Sequence, residues 1–84
     1  RILITGAGSG VGATMAAQLA RSGHFVHVTD LDGTAAERVA HGIAADGGRA
    51  TCAALDVRRA DEVAAVVAAA GDVDVLVNNA GLQN

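Results

Sequence analysis

Four glycines stand within eight residues at Thr5-Gly6-Ala7-Gly8-Ser9-Gly10-Val11-Gly12, and what flanks them limits the folds open to this chain. Before them runs Arg1-Ile2-Leu3-Ile4-Thr5, a short continuous apolar run of the kind found in a strand buried on both faces of a parallel sheet. After them, Val11, Met15 and Leu19 recur at helical spacing with Ala16 and Ala20 beside them, and Ser22-Gly23 supplies a stop. A strand, a glycine turn and a helix in that order bring backbone N–H groups and the positive end of the helix dipole to one point. Glycines also serve ordinary tight turns, so the weight lies in this placement rather than in the pattern alone.

The same alternation continues. Phe25 to Thr29 predicts a second strand ending at Asp30, and Asp32 to Thr34 offers cap chemistry for a helix running to about Ala45, closed by Asp46-Gly47-Gly48. Arg49 to Leu55 predicts a third strand, although alanine is a weak strand former. Ala60 to Ala70 predicts a third helix with Asp61 and Glu62 in its first turn, ended by Gly71, and Val73 to Val77 predicts a fourth strand. Short connections between alternating strands and helices imply right-handed crossovers, hence an α/β fold with a parallel sheet and helices on both faces. No linker, low-complexity tract or internal repeat divides the chain.

In that setting the turn is shaped for a pyrophosphate. Gly6 permits the turn, Gly10 lets the backbone approach the phosphates, and Gly12 lets the helix lie close to the sheet. Asp30 comes eighteen residues after Gly12, at the end of the second strand, where a carboxylate accepts hydrogen bonds from the ribose hydroxyls of adenosine. Its charge opposes the 2′-phosphate of NADP and no Arg follows it directly, so NAD is favoured over NADP. The other reading of Asp30 is a solvated helix cap, and Asp32 competes with it for the ribose role.

Three motifs in order, Thr5-Gly-x-x-x-Gly-x-Gly12, Asp56-Val57 after the third strand and Asn78-Asn79-Ala80-Gly81 after the fourth, resemble the short-chain dehydrogenase/reductase family along the whole chain. The resemblance implies a Rossmann-type fold with strand order 3-2-1-4, and the chain is expected to be an NAD-binding half-domain, residues 1–84, cut after its fourth strand. It implies cofactor contacts from Gly6, Ser9, Gly10, Val11 and Gly12 in the turn, from Asp56 to the adenine amino group, from the backbone of Val57 to the ring, and from Asn79 and Gly81 on the ribose side. The side-chain amides of the Asn-Asn turn also have a structural use, tying the fourth strand to neighbouring backbone. Gln83, two places after the glycine, resembles the D-3-hydroxybutyrate dehydrogenases, where it contacts the substrate carboxylate; a surface loop residue is the other reading.

Two features depart from the family pattern. The stretch from Asp56 to Asn78 is about one helical turn shorter than usual, and Arg58 stands where a Thr or Ser cap is common, so the third helix is expected to fray at its start for lack of about 1 kcal/mol of capping.

The family's proton relay uses a Tyr and a Lys four residues beyond it, with a Ser and an Asn. This chain has no Tyr, and its six basic residues are all Arg. The 84 residues are therefore expected to turn over no alcohol alone and to bind NAD weakly. The parent is expected to be an NAD-dependent oxidoreductase interconverting a secondary alcohol and a ketone, homo-oligomeric when full length. The alternative is a stand-alone nucleotide-binding or regulatory module. Arg rather than Met at position 1 and the abrupt end at Asn84 are expected to mark a piece of a longer gene product.

Composition narrows the rest. A net charge of -3 with scattered Arg residues supplies no basic patch for nucleic acid. No stretch approaches the roughly 18 apolar residues of a membrane span, no signal-peptide pattern opens the chain, and a cytoplasmic location is expected. The single Cys52 sits in an apolar run, where a buried, inert thiol is expected. His24, His27 and His41 are expected to be structural or solvated, since odd spacing puts the first two on opposite faces, away from a shared metal. Ser9 and Ser22 lack a paired base and orienting acid.

Overall fold

The computed structural model describes residues 1–80. Its elements are β1 (Ile2–Thr5), α1 (Gly10–Arg21), β2 (Phe25–Asp30), α2 (Gly33–Ala45), β3 (Arg49–Ala54), α3 (Ala60–Ala70) and β4 (Val75–Asn78). The four strands form one parallel sheet in the order β3-β2-β1-β4, the order expected. Ile2 pairs with Val26 on one side and Val75 on the other, and Phe25 pairs with Arg49.

Alternation along the strands sorts their side chains between two layers. Ile2, Ile4, Val26 and Val28 point to one face, where they pack with Ala16 and Ala20 of α1 and Ala36, Ala40 and Ile43 of α2. The alanines let both helices lie close to the sheet in a core of small side chains. Burying Val26 and Val28 completely contributes about 2 kcal/mol each. On the opposite face, Leu3 and His27 are buried, and α3, which buries no residue fully, passes over them loosely. A cleft of about 350 Å³ remains beneath it, lined by Phe25, His27, Thr51 and Val66 among others.

Local chemistry explains the helix starts. Asp32 caps α2, its Oδ1 accepting from the backbone N–H groups of Thr34 at 3.0 Å and Ala35 at 3.2 Å. The cap position of α3 is Arg59, one residue after the place expected, and it makes no side-chain cap bond. Glu62 instead reaches back to accept from the N–H of Asp56 at 3.1 Å, which ties the first turn of α3 to the start of the preceding loop.

Three expectations are corrected. Cys52 is exposed, because β3 is the edge strand and only Leu55, just past its end, is buried in that stretch. β3 ends at Ala54, where the N–H of Leu55 turns to the carbonyl of Asp30 at 2.8 Å. β4 begins at Val75 rather than Val73: Val73 N–H bonds back to the carbonyl of Gly71 at 2.9 Å, and the ladder to β1 is entered at the carbonyl of Arg1, which accepts from Asp74 N–H at 2.9 Å and from Val75 N–H at 3.3 Å.

Among the three histidines, His24 and His41 are exposed, whereas His27 is 4% exposed and its Nδ1 lies 2.6 Å from Thr51 Oγ1. Burial, with the Arg1 cation adding to it, pushes the His27 imidazole below its ordinary value and favours the neutral ring. Among the described residues no three His, Cys, Asp or Glu side chains group to hold a metal, and no helix is long and apolar enough to cross a membrane.

Candidate nucleotide site

The C-terminal ends of the four parallel strands lie along one edge of the sheet, and the glycine turn leaves that edge from β1, on either side of which the strand order reverses. The turn leaves β1 and is pinned at once to β2. Ala7 N–H donates to the carbonyl of Thr29 at 2.9 Å, and Gly8 N–H donates to Asp30 Oδ2, also at 2.9 Å. Thr29 Oγ1 returns the connection by donating to the carbonyl of Ile4 at 2.8 Å.

On its other side the turn is pinned to β4. Asn79, 1% exposed, donates from Nδ2 to the carbonyl of Gly6 at 3.0 Å. Thr5 Oγ1 donates to Asn78 Oδ1 at 3.0 Å and accepts from Ala80 N–H at 3.2 Å. The tie between the Asn-Asn turn and neighbouring backbone is thus present, and it closes β1 against β4 where their ladder ends. Asn79 Oδ1 is buried without a hydrogen-bond partner among the described residues.

Gly12 occupies the tightest place. A Cβ there would strike the carbonyl oxygen of Gly6 and the amide nitrogen of Asn79, so the first turn of α1 sits directly on the loop beneath it. Gly10 is the opposite case, with φ +57 and nothing within 4 Å of an added Cβ. Among the described residues, the space a Gly10 side chain would enter at the helix start is therefore open. Ser9, the cap residue of α1, makes no side-chain cap bond, and Ser9, Gly10 and Val11 are exposed. Unlike α2, then, α1 begins without a cap bond from its own N-cap side chain, which among the described residues leaves the positive end of its dipole facing outward.

Asp30 sits at the rim of this space, half-buried. Its Oδ2 holds Gly8, and its Oδ1 accepts from Asp32 N–H at 2.9 Å. A carboxylate offers about four lone-pair sites, so roughly two remain. The helix-capping role is taken by Asp32, not by Asp30.

Asp56 and Val57 lie beyond β3 at the same end of the sheet. The Asp56 carboxylate grips Arg58, with Oδ1 accepting from Nε at 2.9 Å and from the backbone N–H at 3.0 Å, and Oδ2 accepting from Nη2 at 2.9 Å. These hydrogen bonds from Arg58, side chain first and backbone second, lower the Asp56 carboxyl to about 2. Nothing local in the sequence distinguished this fork from a frayed helix start. Val57 lines a small cavity of about 160 Å³ with Leu3, Thr5, Leu55 and Asn78 among its other walls.

The pH consequence has a definite sign. A carboxyl lowered in the folded state favours folding above its unfolded value near 3.8, and that contribution disappears as pH falls toward about 2. Arg58→Ala is expected to return Asp56 toward the ordinary carboxylate range, read as the midpoint of its carboxyl carbon shift by NMR. An unchanged midpoint would show that the fork does not form in solution.

Gly8 was not singled out from sequence, yet its N–H and its lack of a side chain hold the turn to β2. The signal available was only its place between Gly6 and Gly10. Gly81 and Gln83 lie outside the described residues.

Comparison with known proteins agrees with this architecture. The family model for short chain dehydrogenases matches residues 1–84. The chain is 38% identical over 84 residues to a 1-deoxy-11-beta-hydroxypentalenate dehydrogenase of Streptomyces arenae, covering 95% of this chain and 30% of that protein. It is 39% identical over 83 residues to the 7alpha-hydroxysteroid dehydrogenase of Escherichia coli K12, covering 94% and 32%. Among solved structures, the hydroxysteroid dehydrogenase from Escherichia coli superposes with a TM-score of 0.85 at 35% identity, over 93% of this chain and 35% of that one. A metagenomic short-chain oxidoreductase in complex with NADP superposes with a TM-score of 0.79 at 37% identity, over 90% and 37%. The chain spans about a third of the length of these relatives. With a family match along every residue and the fold those relatives share, this chain belongs to the short-chain dehydrogenase family, whose members are NAD(P)-binding oxidoreductases.

Proposed function

We propose that these residues are the NAD-binding half of a single longer domain, in an oxidoreductase that interconverts a secondary alcohol and a ketone by hydride transfer. The observation that carries the reading is the uncapped start of α1, fronted by open space at Gly10, with the Asp30 carboxylate at its rim. A dinucleotide fits that donor set: N–H groups and a helix dipole for two phosphates, and a carboxylate with free lone pairs for a ribose.

In this reading Gly6, Ser9, Gly10, Val11 and Gly12 form the phosphate cradle, Asp30 accepts from the adenosine ribose, Asp56 and Val57 hold adenine, and Asn79 and Gly81 line the ribose side. Bound NAD would supply the hydride chemistry, while the chain orients it and keeps water from one face. Asp56 retains an acceptor site on Oδ2 beside its fork with Arg58, so the adenine amino group and Arg58 can share it. With no Tyr or Lys among them, the 84 residues supply the cofactor site and not the proton relay.

NAD is favoured over NADP because Leu31-Asp32-Gly33, which follow Asp30, add a second carboxylate and no cation. Arg58 at the neighbouring strand end is paired with Asp56. In the full-length protein, NAD is expected to give the higher kcat/KM. Asp30→Ala is expected to narrow the NAD/NADP ratio by about 10-fold or more, the size of a lost hydrogen bond to a charged group. A ratio that does not move would remove Asp30 as the selector.

Gln83 supports a substrate with a carboxylate, 3-hydroxybutyrate being the one its spacing suggests. A substrate panel on the full-length protein, which we take to be cytoplasmic and homo-oligomeric, tests that choice.

A further inference from the structure

We infer that Asp30 is a positioning residue for the phosphate-binding turn as well as a ribose acceptor, so that cofactor preference and turn geometry are coupled through one carboxylate. The inference rests on the nucleotide reading above.

Its ground is the contact between Asp30 Oδ2 and Gly8 N–H at 2.9 Å. Gly8 comes so close to the corner of β2 and α2 that an added Cβ would lie 2.8 Å from Ala35 Cβ and 2.9 Å from Asp30 Cγ. Its N–H therefore faces the protein and is withdrawn from the anion, which leaves the groups after it, from Ser9 onward, to meet phosphate. The point where the turn stops being held and starts being open is Gly8 itself: Ala7 is buried, Gly8 half-buried, and Ser9 exposed.

Other side chains hold the turn with neutral groups. Asn79 holds the carbonyl of Gly6, and Thr14 Oγ1 donates to the carbonyl of Gly10 at 3.2 Å. Asp30 does it with a charge, and a hydrogen bond to a charged acceptor is the stronger kind. The same carboxylate is anchored behind by Asp32 N–H at 2.9 Å, and Asp32 caps α2. The turn, the end of β2 and the start of α2 thus share one bonded corner.

The two roles separate when the ribose hydroxyls are removed from the ligand. A carboxylate near phosphates repels them. If ribose contact were its only use, deleting it would leave binding of a ribose-deoxygenated diphosphate unchanged or tighter. If it also braces Gly8, deletion weakens that ligand against the electrostatic trend.

The test is calorimetric titration of the full-length protein with ADP and with 2′,3′-dideoxyadenosine 5′-diphosphate. We expect Asp30→Ala to weaken the dideoxy ligand about 10-fold, and Asp30→Asn, whose amide oxygen can accept from Gly8 N–H while its NH2 group is left facing Asp32 N–H, to recover only part of that loss. Gly8→Ala, with the carboxylate intact but displaced, is expected to weaken it as Asp30→Ala does. Dideoxy binding by Asp30→Ala or by Gly8→Ala that equals or exceeds the unmodified protein's overturns the inference. An unmodified protein that binds neither ligand overturns the nucleotide reading beneath it.

Discussion

Gly12→Val is expected to lower the stability of the full-length protein by roughly 3 kcal/mol or more and to abolish dinucleotide binding. The position allows no side chain, since the atoms a Cβ would strike include the backbone of Gly6 and Ala7 and the buried amide of Asn79. Two of these are backbone atoms, and the side-chain end among them, Asn79 Nδ2, is held by its hydrogen bond to the carbonyl of Gly6. Relief requires α1 to lift from the turn, and lifting it breaks the Asn79 contact to Gly6 and displaces the N–H groups that face the open space. A loss of that size corresponds to a fall of roughly 10 °C in the melting midpoint of a domain the size of these relatives. A midpoint within a degree of the unmodified protein would mean that the helix does not seat on the turn as described.

Asn79→Asp is the second large effect, and it carries a pH signature. The side chain is nearly the same shape, but a carboxylate cannot donate to the carbonyl of Gly6, which sits 3.0 Å from the Asn79 amide nitrogen in a buried setting. Two acceptors would face each other without water, at a cost of roughly 3 kcal/mol at neutral pH. The introduced carboxyl is expected to titrate above the usual carboxylate value of about 4, because only its protonated form can donate. The folded state then binds more protons than the unfolded one, so the variant regains stability as pH falls through that raised value. Melting curves from pH 8 to pH 4.5 check the sign. A variant that instead loses stability steadily on acidification would show that Asn79 is not a donor to the turn.

The elements themselves were close to legible in the sequence. α3 runs over the residues expected, and α1 and α2 end within a residue of their predicted stops, because Ser22-Gly23, Asp46-Gly47 and Gly71 end helices by backbone properties that need no distant partner. β3 formed in spite of its alanines, since a parallel ladder with β2 from Phe25–Arg49 to Asp30–Ala54 outweighs weak propensity. Cys52 was misread for a related reason. An apolar run says that a strand exists, but whether its thiol is covered depends on a neighbour, and β3 stands at the edge of the four-stranded sheet.

The nucleotide corner divides along the same line. Gly6, Gly10, Gly12 and Asp30 announce themselves by spacing, because a turn between strand and helix and a carboxylate at the next strand's end are matters of a few consecutive residues and a fixed crossover length. The hydrogen bonds that make a site of them join residues 22 and 73 positions apart, Gly8 to Asp30 and Gly6 to Asn79. Such partners are chosen by which strands lie side by side. The order of letters therefore specified the strands, the helices and an anion-facing turn, each from local backbone preference and hydrophobic period. Packing alone decided that Gly8 gives its N–H to the protein and that Gly12 is closed by Asn79, because only the assembled sheet brings those atoms within reach.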